Sequence, residues 1–351
     1  RLLDGPRLLN SLSRFSASTS AQDLGSLTVS VLKGEQGHQQ KELSRLVSWL
    51  RDDFKPDIVQ LTNAMFAGMG RQLKDQLGVP VLCGLQGEDI FLEQLIEPYR
   101  TQAQDTLRQR APDMDAFIAP CTYYRDYMAE YMQVAHEKIH VVPLGLNLTG
   151  HGKTPSTTID SAKTIGYLAR ICPEKGFHLL VDAFRLLKER MDLGPLRLEA
   201  AGYLGPRDKA YFQEQIQKIA EWGLSDSFTY HGEVNREEKI KFLSDLHVFS
   251  VPTTYAEPKG LSILESLANG TPVVQPDHGT FPEMLATTGG GLLFEPQSPE
   301  ALAERIAQLL RDEPLRQQLG QTGKKAVHSD FHDDATAAKT LAIYKQHTGA
   351  S

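Results

Sequence analysis

The stretch TIGYLARICPEKGFHLLVDAF (residues 164–184) decides the fold. Its first six residues form a short β-branched and apolar run. A loop carrying Arg170, Pro173, Lys175 and Gly176 follows, and a helical apolar pattern begins near Gly176 or Phe177. A strand that passes directly into a helix is the repeating unit of a parallel sheet, because parallel neighbours need a crossover connection. The same unit recurs on both sides of this stretch.

Toward the C-terminus, LRLEAAG (196–202), FTYHG (228–232), HVFSVPT (247–253) and TPVVQP (271–276) read as buried strands separated by helices. Helical stretches then run from about 298 to 346. Toward the N-terminus, LTVSVL (27–32), DIVQLT (57–62), VPVLCGL (79–85), DAFIAP (115–120) and IHVVPLG (139–145) alternate with helical patterns in the same way. Between the two series lies NLTGHGKTPSTTIDSAK (147–163), polar and without apolar period, which reads as a linker. The expected organisation is α/β, with two doubly wound Rossmann-like domains. Residues 1–27 are expected to be an irregular segment, 28–146 a partial first domain and 164–330 the second. A C-terminal helix over 331–351 is expected to pack back on the first domain. The chain begins at Arg1 without Met, and it reads as a piece of a longer protein.

Composition narrows the function classes. The 351 residues are 40% hydrophobic and 23% charged, as in an ordinary globular protein, and carry a net charge of −7. No basic block or Arg/Lys-rich helix is present, which argues against nucleic acid as a partner. No apolar run reaches the roughly 18–20 residues of a membrane span. Cys83, Cys121 and Cys172 are widely spaced and fit reduced thiols in a cytoplasmic protein. The eleven histidines lack paired-ligand spacing, so no metal site is expected.

In open parallel sheets ligands bind beyond the carboxyl ends of the strands, so the loops after strands hold the candidate residues. Arg170 and Lys175 share one such loop. Two cations on such a loop suit a phosphate or diphosphate; the competing reading, a pair of solvated surface charges, is weakened because cations at a helix start oppose its dipole and need a compensating anion. YAEPKGLSILE (255–265) supplies the second loop. Glu257 precedes a Pro-Lys-Gly turn, a helix is expected from about Gly260, and Glu265 follows about 7–8 Å along its axis. Free amides at the helix start make an anion seat, so the order is carboxylate, anion seat, carboxylate. That is the layout of a nucleotide sugar, with hydroxyls on both sides of a diphosphate. His231-Gly232 and Thr280 end or follow other strands and face the same cleft on this reading. A helix that merely carries two glutamates is the competing explanation, but it leaves the cationic loop unexplained. Tyr123, Tyr127 and Tyr131 at helical spacing read as core packing, and Gly289–Gly291 as a loop.

These segments resemble family 4 glycosyltransferases of the GT-B fold. GYLARICPEKGFHLLVDAF, YHGEV and EPKGLSILESLANGTPVVQPDHGTFPE carry the resemblance, which covers roughly residues 55–347. It implies that Arg170 and Lys175 bind the donor diphosphate and that Glu257 holds the donor sugar. Groups around Lys259, Gly260 and Leu261 would meet the diphosphate, and Glu265 would hold the ribose. It further implies transfer from a UDP- or GDP-sugar, with retention and without an obligatory metal or other cofactor. The acceptor would be a carbohydrate or a lipid-linked hydroxyl, with peripheral contact at the cytoplasmic membrane allowed. The family's opening strand and Gly-rich loop have no counterpart here, so the first domain is expected to be incomplete. Where the family often carries a His after the strand matching VPVLCGL, this chain has Gln86, followed by Glu88 and Asp89 as acceptor-side candidates or helix caps. Two other readings keep the fold: a nucleotide-sugar-binding module without turnover, and a sugar-nucleotide epimerase.

Overall fold

The computed structural model describes residues 21–152 and 162–349, so residues 1–20 and the linker's central 153–161 lie outside the described residues. Two units result. The first takes the chain to Pro120, Tyr124–Val142 and the segment from Thr340 onward, and the second takes Cys121–Tyr123 and Pro143–Lys339. The second unit therefore begins ahead of the polar linker.

In the first unit β1 (Val59–Leu61), β2 (Val81–Gly84), β3 (Ala116–Ala119) and β4 (Ile139–Val141) form a parallel sheet in sequential order. Val59 pairs with Val81, Leu82 with Ala116 and Phe117 with Ile139. β2 is buried along its whole length, as expected of a parallel strand covered on both faces. Its helices are α1 (Ala21–Leu32), α2 (Gln40–Trp49), α3 (Gly70–Leu77), α4 (Glu88–Glu93), α5 (Tyr99–Arg110) and α6 (Thr122–Met132), the last of which starts within the second unit's Cys121–Tyr123 segment. The end of the C-terminal helix, through Ile343, packs with Leu82, Ala116 and Val142.

One segment departs from expectation here. LTVSVL reads as a strand but lies inside α1. The strand preference of Thr28, Val29 and Val31 is weak against packing. Thr28, Val29 and Leu32 are buried, Thr28 Oγ1 donates to the Leu24 carbonyl at 2.7 Å, and Gly25 lies flush against the Tyr99 ring of α5.

In the second unit β5 (Lys163–Leu168), β6 (Leu196–Ala201), β7 (Phe228–Tyr230), β8 (Val248–Phe249), β9 (Val273–Pro276) and β10 (Gly291–Phe294) form one parallel sheet in the order β10-β9-β8-β5-β6-β7. Helices α7 (Phe177–Lys188), α8 (Lys209–Glu221), α9 (Arg236–Ser244), α10 (Leu261–Ala268), α11 (Phe281–Thr288), α12 (Pro299–Arg311), α13 (Glu313–Asp330) and α14 (Asp333–Thr348) accompany it. Tyr167, Phe177, Phe184, Phe249, Leu302 and Ile306 are fully excluded from solvent. Side chains of this size contribute roughly 1.5–3 kcal/mol each on full burial. The glycine run at 289–291 is not a plain loop. Gly289 closes α11 in the left-handed region, and Gly291 opens β10, where a Cβ would stand 2.2 Å from the Val273 carbonyl.

This strand order positions the site. β5 continues to β6 on one side and accepts β8 on the other, so the chain direction across the sheet reverses between β5 and β8. The loops leaving those two strands open apart into a crevice. They are the two loops that carry Arg170, Lys175 and Glu257.

Candidate functional site

The β5 loop is shaped from beneath. The fully buried Tyr167 donates through its hydroxyl to the Arg170 carbonyl at 3.0 Å. Pro173–Lys175 form a short 3-10 turn, and Gly176 then takes φ 71° before α7. A Cβ at Gly176 would lie 1.7 Å from the Pro252 carbonyl, so the backbone leaving β8 crosses at a distance that only glycine permits. The Thr254 N–H donates to the Glu174 carbonyl at 2.9 Å and joins the two loops.

The β8 loop brings Glu257 against Lys175. Lys175 Nζ donates to Glu257 Oε2 at 2.5 Å and to the Tyr255 hydroxyl at 2.5 Å. That hydroxyl donates to the same carboxylate oxygen at 2.5 Å, and the Lys259 N–H donates to Oε1 at 3.2 Å. Glu257 is only 8% exposed. Burial pushes its carboxyl up. The Lys175 charge and the hydrogen bonds from Lys175, Tyr255 and Lys259 outweigh that and hold it below the usual carboxylate range. Tyr255 is pushed up by burial and by the Glu257 charge, so it keeps its proton.

Gly260, at φ 64°, precedes α10, and a Cβ there would press on Met284 and Thr280. Leu261 and Ser262, in the first turn of α10, where backbone amides have no partner within the helix, line the same crevice. Glu265 stands on this helix, and Lys239 of α9 donates to its Oε1 at 2.5 Å. Together these groups line a cavity of about 390 Å³ that holds Arg170, Lys175, Lys239 and Lys259 against Glu257 and Glu265. Lys175 and Lys239 are matched by the two carboxylates. Arg170 and Lys259 have no acidic partner among the described residues, so the cavity carries two uncompensated positive charges.

The remaining sequence-derived residues lie elsewhere. Thr280 is buried at the start of α11, and its N–H donates to the Glu257 carbonyl at 2.8 Å, so it supports the loop from behind. His231 pairs with Glu199 at 2.6 Å in a separate groove with Arg197 and Glu233. The Gly232 carbonyl accepts from the Gly202 N–H at 2.7 Å. In the first unit Gln86 is exposed, whereas Glu88 is buried and accepts from the Ala64 N–H at 2.7 Å and the Gln86 N–H at 2.5 Å. Asp89 accepts from the Tyr124 hydroxyl at 2.5 Å. Both acidic residues are thus engaged within their own unit. Tyr255 and Lys239 were not singled out by sequence. Tyr255 sits inside the decisive YAEPKG stretch, but Lys239 lies 26 residues before its partner and leaves no local signal.

Comparison with known proteins agrees with this architecture. A family model described as "Glycosyl transferases group 1" matches residues 153–326, and one described as "Glycosyl transferase 4-like domain" matches residues 19–145. The mannosylfructose-phosphate synthase of Agrobacterium fabrum is 24% identical over 67% of this chain and 53% of its own length. A GDP-mannose-dependent alpha-(1-6)-phosphatidylinositol monomannoside mannosyltransferase of Mycobacterium tuberculosis is 26% identical over 68% of this chain and 63% of its own. The chain thus spans little more than half the length of these curated relatives. Among solved structures, Anabaena HepE in complex with UDP and glucose superposes with a TM-score of 0.72 at 18% identity, over 88% of this chain and 83% of that one. The two family models, one on each half of the chain, together with the two parallel sheets, identify it as a member of the family 4-like glycosyltransferases with the GT-B fold.

Proposed function

We propose that this chain transfers a glycosyl group from a UDP- or GDP-linked sugar to an acceptor hydroxyl, with retention at the anomeric carbon. The observation that carries the reading is the pair of unmatched cations, Arg170 and Lys259, beside the start of α10 in the cavity. Two positive charges and free helix amides suit a diphosphate. Charge grows on the diphosphate oxygen as the sugar departs. Arg170, Lys175 and Lys259, fixed before the reaction begins, stabilise that charge more than they stabilise the intact donor. Glu257, held ionised, accepts hydrogen bonds from sugar hydroxyls and supplies no proton, so it is not the acid of a hydrolase pair. Glu265 accepts from the ribose hydroxyls. HepE, solved with UDP and glucose, and the GDP-mannose-dependent relative together support a nucleotide-sugar donor while differing in the base. The latter's phosphatidylinositol mannoside acceptor supports a carbohydrate or lipid-linked hydroxyl as acceptor. No helix among the described residues is long and apolar enough to cross a membrane.

The test is nucleoside diphosphate release from a panel of UDP- and GDP-sugars, with the anomeric configuration of the product read by NMR. Arg170→Ala is expected to lower turnover at least roughly a hundredfold, the scale of losing a charge-stabilising group. Unchanged release and nucleotide binding in both Arg170→Ala and Glu265→Gln would sink the site assignment, and an inverted product would sink the stereochemical part.

A further inference from the structure

Glu265 is held from two sides. Asn269 Nδ2 donates to its backbone carbonyl at 2.9 Å, and Lys239 Nζ donates to Oε1 at 2.5 Å. Lys239 and Glu265 are largely covered, with side chains 25% and 17% exposed, and both line the cavity. Lys239 is itself fixed by the start of α9. Asn235 accepts from the Glu238 N–H at 3.0 Å while Glu238 accepts from the Asn235 N–H at 2.9 Å, which sets the start of the helix, and the Lys239 N–H donates to the Asn235 carbonyl at 2.8 Å.

An unanchored glutamate rotates freely about its last torsion, and holding it still for a ligand costs entropy at the moment of binding. Glu265 has that rotation removed in advance at one oxygen. Its other oxygen, Oε2, accepts no hydrogen bond among the described residues and stays available to the cavity.

We propose that Lys239 is a positioning residue that pins Glu265 through Oε1 and thereby aims Oε2 at the vicinal hydroxyls of the donor ribose. This inference rests on the proposal that Glu265 is the ribose ligand. Lys239 is set apart from Arg170, Lys175 and Lys259 by its place on α9 directly beside Glu265, and a phosphate role for it is an outcome that the test separates. The role it confers is selection for a ribonucleotide over one lacking the 2′ and 3′ hydroxyls.

The test is calorimetric binding of UDP, GDP and their 2′,3′-dideoxy counterparts to the full chain, as wild type, Glu265→Gln, Lys239→Met and Lys239→Arg. Wild type is expected to prefer the ribonucleotide by roughly tenfold or more, the scale of a hydrogen bond to a charged group. Glu265→Gln removes most of that preference. Lys239→Met removes it as well, through weaker ribonucleotide binding at unchanged dideoxynucleotide affinity, and Lys239→Arg restores it. Retained preference in Lys239→Met overturns the inference, as does an equal loss for both nucleotide types, which would make Lys239 a phosphate cation. Thermal unfolding of each variant accompanies the titrations, and Lys239→Gln replaces Lys239→Met if the latter melts below the assay temperature. Failure of Glu265→Gln to alter the preference overturns the ribose reading itself, and so does failure of wild type to bind either nucleotide.

Discussion

Lys175 Nζ stands 2.5 Å from Glu257 Oε2, which joins the loop after β5 to the loop after β8 through one largely buried ion pair. The two side chains are 19% and 10% exposed, so neither charge is well served by water. Removing one partner leaves the other buried and unmatched, which is the costly way to break such a pair. Lys175→Met is expected to lose about 1–3 kcal/mol of stability, with the partial exposure of Lys175 holding the figure below that of a fully buried pair. The double variant Lys175→Met/Glu257→Gln should regain most of that loss. Urea unfolding of the four proteins of the cycle measures the coupling, and strictly additive single effects would contradict it.

Gly176 and Gly223 adopt nearly the same left-handed backbone, at φ 71° and 69°, but only Gly176 faces a neighbour. A Cβ at Gly176 meets the Pro252 carbonyl at 1.7 Å, whereas one at Gly223 has no neighbour within 4 Å among the described residues. Gly223→Ala is therefore expected to cost only the conformational penalty, about 1–2 kcal/mol. Gly176→Ala must also push the two loops apart, so it should lose more stability and weaken nucleotide binding. Equal melting temperatures for the two variants would mean that the loops separate without resistance.

These loops were readable because their chemistry is local. Arg170, Lys175, Gly176, Glu257, Gly260 and Glu265 sit where a strand pattern yields to a helical one, and strand-end position alone brings them to one crevice. Lys239 was not readable, since its contact with Glu265 depends on how α9 and α10 lie side by side. His231 fails in the opposite sense: it ends a strand, yet its ring turns to Glu199 on the neighbouring β6. α1 shows the limit of composition. Thr28, Val29 and Val31 favour a strand individually, but the helix buries Thr28, Val29 and Leu32 and brings Gly25 against Tyr99, which no window on the sequence contains.

Glu88 predicts a structural effect where the sequence left an acceptor-side role and a helix cap both open. Its two oxygens accept from the Ala64 and Gln86 N–H groups, tying the segment after β1 to the segment after β2. Burial pushes its carboxyl up, against those backbone hydrogen bonds. Glu88→Gln turns one acceptor into an NH2 group facing a buried N–H, and is expected to cost about 1–3 kcal/mol. The check is urea unfolding of Glu88→Gln beside Gln86→Ala, which removes an exposed side chain and should stay near wild type. A neutral Glu88→Gln would mean that the two segments are held by something else.

His151 ties stability to pH. It is 7% exposed, and its Nδ1 accepts from Asn269 Nδ2 at 3.0 Å, a bond that requires this nitrogen to be unprotonated. Burial lowers its pKa to about 4, assisted by the Arg236, Lys239 and His328 charges nearby. The unfolded chain holds the imidazole near its ordinary value, roughly 6.5. A depressed folded pKa means that the unfolded state binds the extra proton first. The contribution of His151 is therefore complete above about pH 6.5 and is lost progressively as pH falls toward 4, to a limit of about 3 kcal/mol. Glu257, also depressed, adds a loss in the same direction, but only as pH falls through the carboxylate range. Burial also holds His140, His178, His247 and His278 below the ordinary value, so the window between pH 5 and 6.5 reports several histidines together, and the His151 share is the difference between wild type and a His151 variant. Urea unfolding across that window should show wild-type stability rising with pH, and His151→Gln, which keeps an acceptor for Asn269 without a titrating group, should reduce the slope of the rise. The same slope in both proteins would place the titration on another residue.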